Sequence, residues 1–297
     1  MNEVAVVTDS AACLPKELVD RYEIEVVPME FIHDGKVYRD GIDITPAKFY
    51  ELLAQSKKLP TTSAPSPETY LAVFEKVAEK SGTILVITPS ARFTHAFDSA
   101  KAAADMSRQK MPNVVVEVLD CGTAAGAQGL IVLTAARVAV AEKSLPKSAE
   151  AARTLMPKVR LVAFIDTLNY LAKGGRVPHA VAWANSLLKI KPIFELLPSG
   201  KGATPVDRAR IRPKAIERLI KLLREKSQGK AVHAIVMHTN VLSEAEELKQ
   251  RISSEVDCVE VYVTDFTPVM GLHTGPGLLG IAFYCDGMMP GATDRKG

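Results

Sequence analysis

Short apolar runs alternate with helical periods along the first half of the chain. Val4–Val7, Glu25–Val27, Thr83–Thr88 and Val114–Leu119 are strand-like, and the segments between them carry helix signals. That alternation predicts a mainly parallel sheet with crossover helices. Thr45-Pro46 and Ser66-Pro67 each set a hydroxyl cap before a proline, whose missing N–H does no harm at a first helical position, so helices are predicted to start there. After the second start, Tyr70, Val73, Phe74 and Val77 recur at helical spacing and predict one buried face. Gly122–Val140 is alanine, glycine and aliphatic with few charges, which predicts a helix buried on most sides.

The second half has another rhythm. Strands are predicted at Arg160–Ile165, Lys191–Leu196, Val232–Met237, Val259–Val263 and Gly280–Tyr284, with helices at Pro213–Glu225 and Ser243–Ser253 and a hairpin turn at Pro198–Gly202. The composition turns polar over Lys143–Glu150, which places a boundary near residue 155. The expected architecture is α/β: an N-terminal domain, 1–155, with a mainly parallel sheet and flanking helices, then a C-terminal α+β domain, 156–290, and a flexible tail, 291–297.

Composition narrows the function classes. Of 297 residues, 47% are hydrophobic and 24% charged, which excludes a largely disordered or collagen-like chain. With 37 Lys+Arg against 34 Asp+Glu and no basic block, nucleic acid is not an expected partner. Cys13, Cys121, Cys258 and Cys285 lack C-x-x-C spacing, and the six histidines lack H-E-x-x-H, so no metal is expected and a reduced compartment fits. Met1-Asn2-Glu3 offers no basic leader, and no apolar run reaches the ~18 residues of a membrane span. A cytoplasmic protein is the expectation.

Candidate chemistry lies at strand ends, where open parallel sheets bind ligands. The first strand ends in Thr8-Asp9-Ser10, a later one in Thr88-Pro89-Ser90, and a polar loop, Pro60–Ser66, precedes the Ser66 cap. Singly, such residues read as caps and turns; together, hydroxyls and backbone N–H groups can hold a carboxylate or phosphate without a buried cation. The absence of G-x-S-x-G argues against a serine hydrolase. Gly275-Pro276-Gly277-Leu278-Leu279-Gly280 matches G-x-G-x-x-G, but only 17 residues follow, too few for a dinucleotide-binding half. The same loop begins at His273, which can hydrogen-bond an anion although a lone loop histidine is more often structural, and its Gly275 allows close backbone approach. Lys173-Gly174-Gly175-Arg176 is a second glycine-hinged loop, with a helix expected from Pro178; Arg176 there can face an anion, a partner or solvent.

These segments together resemble the DegV family of fatty-acid-binding proteins, from about Val4 to Tyr284. The resemblance is carried by Val7-Thr8-Asp9-Ser10, Val27-Pro28-Met29, Asp34-Gly35, Asp40-Gly41, Thr61-Thr62-Ser63-Ala64-Pro65-Ser66, Tyr170–Arg176, Lys191-Pro192-Ile193 and His273–Gly277, in that order. It implies a two-domain α/β protein that holds a long-chain fatty acid, uses no cofactor, and presents the carboxylate to a separate fatty-acid kinase for acyl-phosphate formation in phospholipid synthesis. The carboxylate ligands it implies are Thr62, Ser63, Ser90, Thr94 and His273, with Asp9, Ser10, His95, Arg176 and Gly275 supporting them or facing a partner. Ser90-Ala91-Arg92-Phe93-Thr94-His95-Ala96 departs from the family's serine-rich stretch: alanine replaces a serine and a threonine, and His95 a glycine. The protein would be a carrier and not an enzyme. Two rival readings are an enzyme for a small carboxylated or phosphorylated metabolite, with Asp9 and His273 as acid and base, and a regulatory subunit without a ligand.

Overall fold

The computed structural model describes residues 4–56, 58–175, 177, 190–197 and 202–287. In chain order the first half comprises β1 (Val4–Asp9), α1 (Lys16–Arg21), β2 (Glu25–Val27), β3 (Glu30–His33), β4 (Lys36–Arg39), α2 (Pro46–Gln55), β5 (Thr61–Ser63), α3 (Pro67–Ala78), β6 (Thr83–Thr88), α4 (Ala96–Lys110), β7 (Val115–Asp120), α5 (Ala125–Glu142) and α6 (Leu145–Leu155). The second half adds β8 (Arg160–Phe164), α7 (Asn169–Gly174), β9 (Lys191–Leu197), β10 (Gly202–Ala209), α8 (Arg212–Ser227), β11 (Val232–His238), α9 (Leu242–Glu255), β12 (Cys258–Asp265), α10 (Pro268–Thr274) and β13 (Leu279–Cys285).

The first sheet runs β2-β1-β6-β7, all parallel, as the alternation of apolar runs predicts. Helices α2 and α3 begin where hydroxyl and proline meet: the Thr45 side chain accepts from the Lys48 N–H and Ser66 from the Thr69 N–H. The second sheet runs β10-β9-β8-β13-β11-β12 and is mixed, with only β11 and β12 parallel. The expected hairpin at Pro198–Gly202 lies mostly outside the described residues, but the strands flanking it pair antiparallel, Leu197 opposite Gly202. The helix expected at Pro178 and the tail from 291 lie outside them too.

A third sheet, β4-β3-β5, is antiparallel throughout and was not expected from the pattern. Asp34 and Gly35 turn between β3 and β4 at φ 48° and 78°, the positive pair that a tight hairpin requires. β5 is a three-residue polar strand held by β3, with Thr62 opposite Phe31. Within the polar stretch Lys143–Glu150, α6 begins, capped by the Ser144 hydroxyl.

The low-charge helix α5 packs on β1 with one side and on β11 and β13 with another. Leu130, Ile131 and Ala135 belong to a buried cluster that also takes in Val6 and Leu85 of the first sheet and Ile235 and Ala282 of the second. Arg137, also on α5, donates to both Glu260 carboxylate oxygens on β12, at 2.6 and 2.5 Å. Among the described residues α5 is the one helix long and apolar enough to cross a membrane, yet 72% of it is buried inside the protein, so its apolarity is accounted for by the core.

Alternation along β8 divides its two faces. Val162 and Phe164 pack beneath α8 and α9 with Leu219 and Leu248, whereas Leu161, Ala163 and Ile165 point the other way. That second face forms one wall of the cavity described next.

Candidate functional site

A cavity of about 810 Å³ lies between the loops of the first half and the inner face of the second sheet, within the size range of small-molecule sites. Leu161, Ala163, Ile165, Phe194, Leu196 and Ala203 make its aliphatic wall. The β5 loop, the loop after β6 and α10 supply hydroxyl and imidazole groups. Arg92 is the single permanently charged side chain among the described lining residues, and none of them is Asp or Glu. The electrostatics therefore suit an anionic head on an apolar body.

Each polar group is placed by local chemistry. β5 is pinned as an edge strand, so Thr61, Thr62 and Ser63 alternate across it and Thr62 faces inward beside α10. Thr62 Oγ1 and His273 Nε2 lie 3.4 Å apart. α10 starts at Pro268, which needs no N–H partner at that position, and ends before Gly275. Gly275 sits at φ +72°, and a side chain there would enter the Tyr170 ring, so glycine is required on both counts. Gly174 ends α7, and a Cβ there would come within 2.8 Å of His273 Nδ1, so the bare glycine lets the imidazole approach the backbone.

Of the residues expected at the head group, Thr62, Ser63, Thr94, His95 and His273 all line this cavity. His95 stands at its exposed rim, 3.4 Å from Asp98. Ser90 is buried and sits behind the lining: its Oγ accepts from the Arg92 N–H at 3.4 Å and its own N–H donates to Thr123 O at 2.8 Å. It shapes the loop that bears Ala91, Arg92 and Thr94. Arg176 lies outside the described residues. Sequence reading passed over Arg92, Ser66, Ser99 and Thr274, which also line the cavity. Arg92 had a visible signal, a lone cation inside a hydroxyl loop; Ser99 had none, because it faces the cavity only once α4 forms.

Asp9 and Ser10 serve the wall from behind. The Asp9 carboxylate accepts from the Ala11 N–H at 3.1 Å, capping a short turn, and from Tyr70 Oη at 3.3 Å and Gln128 Nε2 at 3.4 Å. Ser10 Oγ donates to Asp40 Oδ2 at 2.6 Å and accepts from the Met29 N–H at 3.1 Å, while Asp40 Oδ1 accepts from the Val269 N–H of α10 at 3.4 Å. Ala11, Met29 and Val269 line the cavity, so this buried knot sets the spacing between β1, the β3–β4 hairpin and α10. Burial pushes the Asp9 carboxyl up to about 7 against the pull of its hydrogen bonds from Gln128, Ala11 and Tyr70, and pushes Asp40 up to about 6 against those from Ser10 and Val269. Asp9 and His273 do not share the cavity, so the structure does not assemble the acid–base pair of the enzyme reading.

Burial pushes the Cys13 thiol up to about 12 and Cys121 higher still, so neither is a nucleophile at neutral pH. Among the described residues no group of three or more His, Cys, Asp or Glu side chains is placed to hold a metal ion.

Comparison with known proteins gives one family over nearly the whole chain: the DegV family, described as one of uncharacterised proteins, matches residues 3–286. Protein DegV of Bacillus subtilis is 34% identical over 282 residues, 94% of this chain and 98% of that protein. The crystal structure of the B. subtilis protein, described as a fatty acid binding protein, superposes with a TM-score of 0.84 at 31% identity, covering 96% of this chain and all of the other. A DegV family protein from Thermus thermophilus, described by its fatty acid binding, superposes with a TM-score of 0.86 at 29% identity over 95% of this chain and 99% of its own. The family match and the likeness in sequence and fold both span nearly the whole chain, and the chain belongs to the DegV family.

Proposed function

We propose that this protein is a fatty-acid carrier: the acyl chain lies against Leu161, Ala163, Phe194 and Leu196, and its carboxylate meets Thr62, Ser63, Thr94 and His273 with Arg92 at the rim. The observation that carries the reading is a cavity with one aliphatic wall, hydroxyl and imidazole donors opposite, and no acidic lining residue among those described. Burying a C16 chain at ~0.8 kcal/mol per CH₂ supplies on the order of 10 kcal/mol before association costs, so the tail dominates affinity and the head group sets orientation. The fatty-acid binding described for the B. subtilis and T. thermophilus relatives supports the same conclusion.

The finer reading is that the protein acts in the cytoplasm without catalysing a reaction and presents the carboxylate to a separate fatty-acid kinase. Support comes from the position of Arg92 and His95, whose exposure leaves the polar loops reachable from outside. We read 1–155 and 156–290 as the two domains, the cavity lying where they meet.

Solvent extraction of the purified protein followed by mass spectrometry tests the core of this proposal. A fatty acid at one per chain is expected. Protein that arrives empty and ignores added fatty acid overturns it. Formation of an acyl phosphate only when a fatty-acid kinase is added tests the carrier role, and product without the kinase would make the protein itself the catalyst.

A further inference from the structure

Thr62, Gly174 and His273 have two sides. They line the inner cavity and also a separate outer pocket of about 530 Å³ between the α2–β5 loop and α7. The close Thr62–His273 pair and the bare Gly174 backbone are the wall between the two compartments.

The outer pocket differs from the inner one in its charge. Lys58 and Lys173 both line it, one before β5 and the other on α7, and both side chains are exposed. Neither is in a salt bridge among the described residues, whereas Lys191 pairs with Asp166 at 2.6 Å. No Asp or Glu is among the described residues that line the pocket. Thr61, Asn169 and Tyr170 add hydroxyl and amide donors. Two compact ammonium groups at a polar hollow suit a ligand with more than one negative charge and several acceptor oxygens.

We propose that the outer pocket is an oxyanion site of phosphate class, held by Lys58 and Lys173, and that the Thr62–His273 pair is the partition across which this anion faces the head group within. What stands on the inner side rests on the fatty-acid reading; the anion site itself does not. An anion there lies against one imidazole from the carboxylate end, so His273 senses both compartments.

The test is a titration of the full-length protein with inorganic pyrophosphate, followed by NMR at the His273 imidazole and at the Lys173 and Gly174 amides, with chloride at equal ionic strength as control. A saturable shift of these signals is expected, with affinity at least tenfold weaker in Lys58→Ala/Lys173→Ala while the fatty acid counted by mass spectrometry stays unchanged. Absence of a saturable shift, an equal response to chloride, or undiminished binding by the double variant overturns the proposal. So does a saturable response to an acidic peptide but not to pyrophosphate, since the site would then be a protein-docking surface. Pyrophosphate binding by protein that arrives empty and ignores added fatty acid would support this site while sinking the carrier reading, so the two failures are separable.

Discussion

Thr62 Oγ1 and His273 Nε2 are 3.4 Å apart although 211 residues separate them in sequence. One comes from a three-residue edge strand of the first half and the other from the short helix before the last strand. If that pair holds the carboxylate, Thr62→Ala and His273→Ala each remove a hydrogen bond to a charged group, worth roughly 1.5–3 kcal/mol. Fatty-acid affinity should fall about ten- to hundredfold, with the circular dichroism spectrum and melting temperature nearly unchanged. Full affinity in both variants would place the head group elsewhere.

Ser90→Ala should behave differently from Thr62→Ala. Its hydroxyl is engaged with the Arg92 N–H behind the cavity lining, so the expected loss is in loop order. A retention defect smaller than that of Thr62→Ala, accompanied by faster amide exchange at Arg92 and Phe93, is the outcome to look for.

The tail wall offers a size filter. Ala203 sits opposite Leu196 in the β9–β10 pair and lines the cavity. Ala203→Phe fills tail space without touching the polar loops, so protein offered a mixture of acids should retain shorter chains than wild type. An unchanged chain-length distribution by mass spectrometry would show that the tail runs another way.

Asp9 predicts an unusual pH dependence. Its carboxyl is raised from 3.8 to about 7 by burial, so the folded state holds a proton that the unfolded chain has already lost across that window. The folding penalty is absent below the unfolded value, grows as pH rises from about 4 to 7, and is constant above. Asp9→Asn keeps an acceptor for the Ala11 N–H and removes the charge, so its stability relative to wild type should increase between pH 5 and pH 8, by on the order of 2–4 kcal/mol. Denaturant melts at several pH values measure this, and parallel curves would refute it.

Gly275→Ala puts a Cβ at φ +72° and into the Tyr170 ring. A loss of roughly 1–3 kcal/mol and a melting temperature lower by several degrees are expected. Fatty-acid affinity should fall as well, because α10 ends at that residue.

The parallel sheet, the capped helices and the buried α5 were legible because each is a local pattern. Thr45 and Ser66 announce helix starts, and Val4, Val6 and Leu85 announce strands. The third sheet was not, since β5 is polar and exists only through pairing with β3, although Asp34-Gly35 carried a hairpin signal. Helix α4 was hidden by its small residues: Ala96, Ala100, Ala103, Ala104 and Ser107 make its buried stripe, which reads weakly as an apolar period. Within the site, Thr62, Ser63 and His273 stood out as loop residues with donors, whereas the retreat of Ser90 behind Ala91 and Arg92 depends on how one turn closes.

β13 is the last described strand, yet it lies inside its sheet, between β8 and β11, and Leu278 just ahead of it lines the cavity. The compartment is thus completed only when β13 joins its sheet. A polypeptide in which that strand has not yet paired offers a lipid an unfinished shell, so occupancy by an acyl chain would report that β13 had taken its place between β8 and β11.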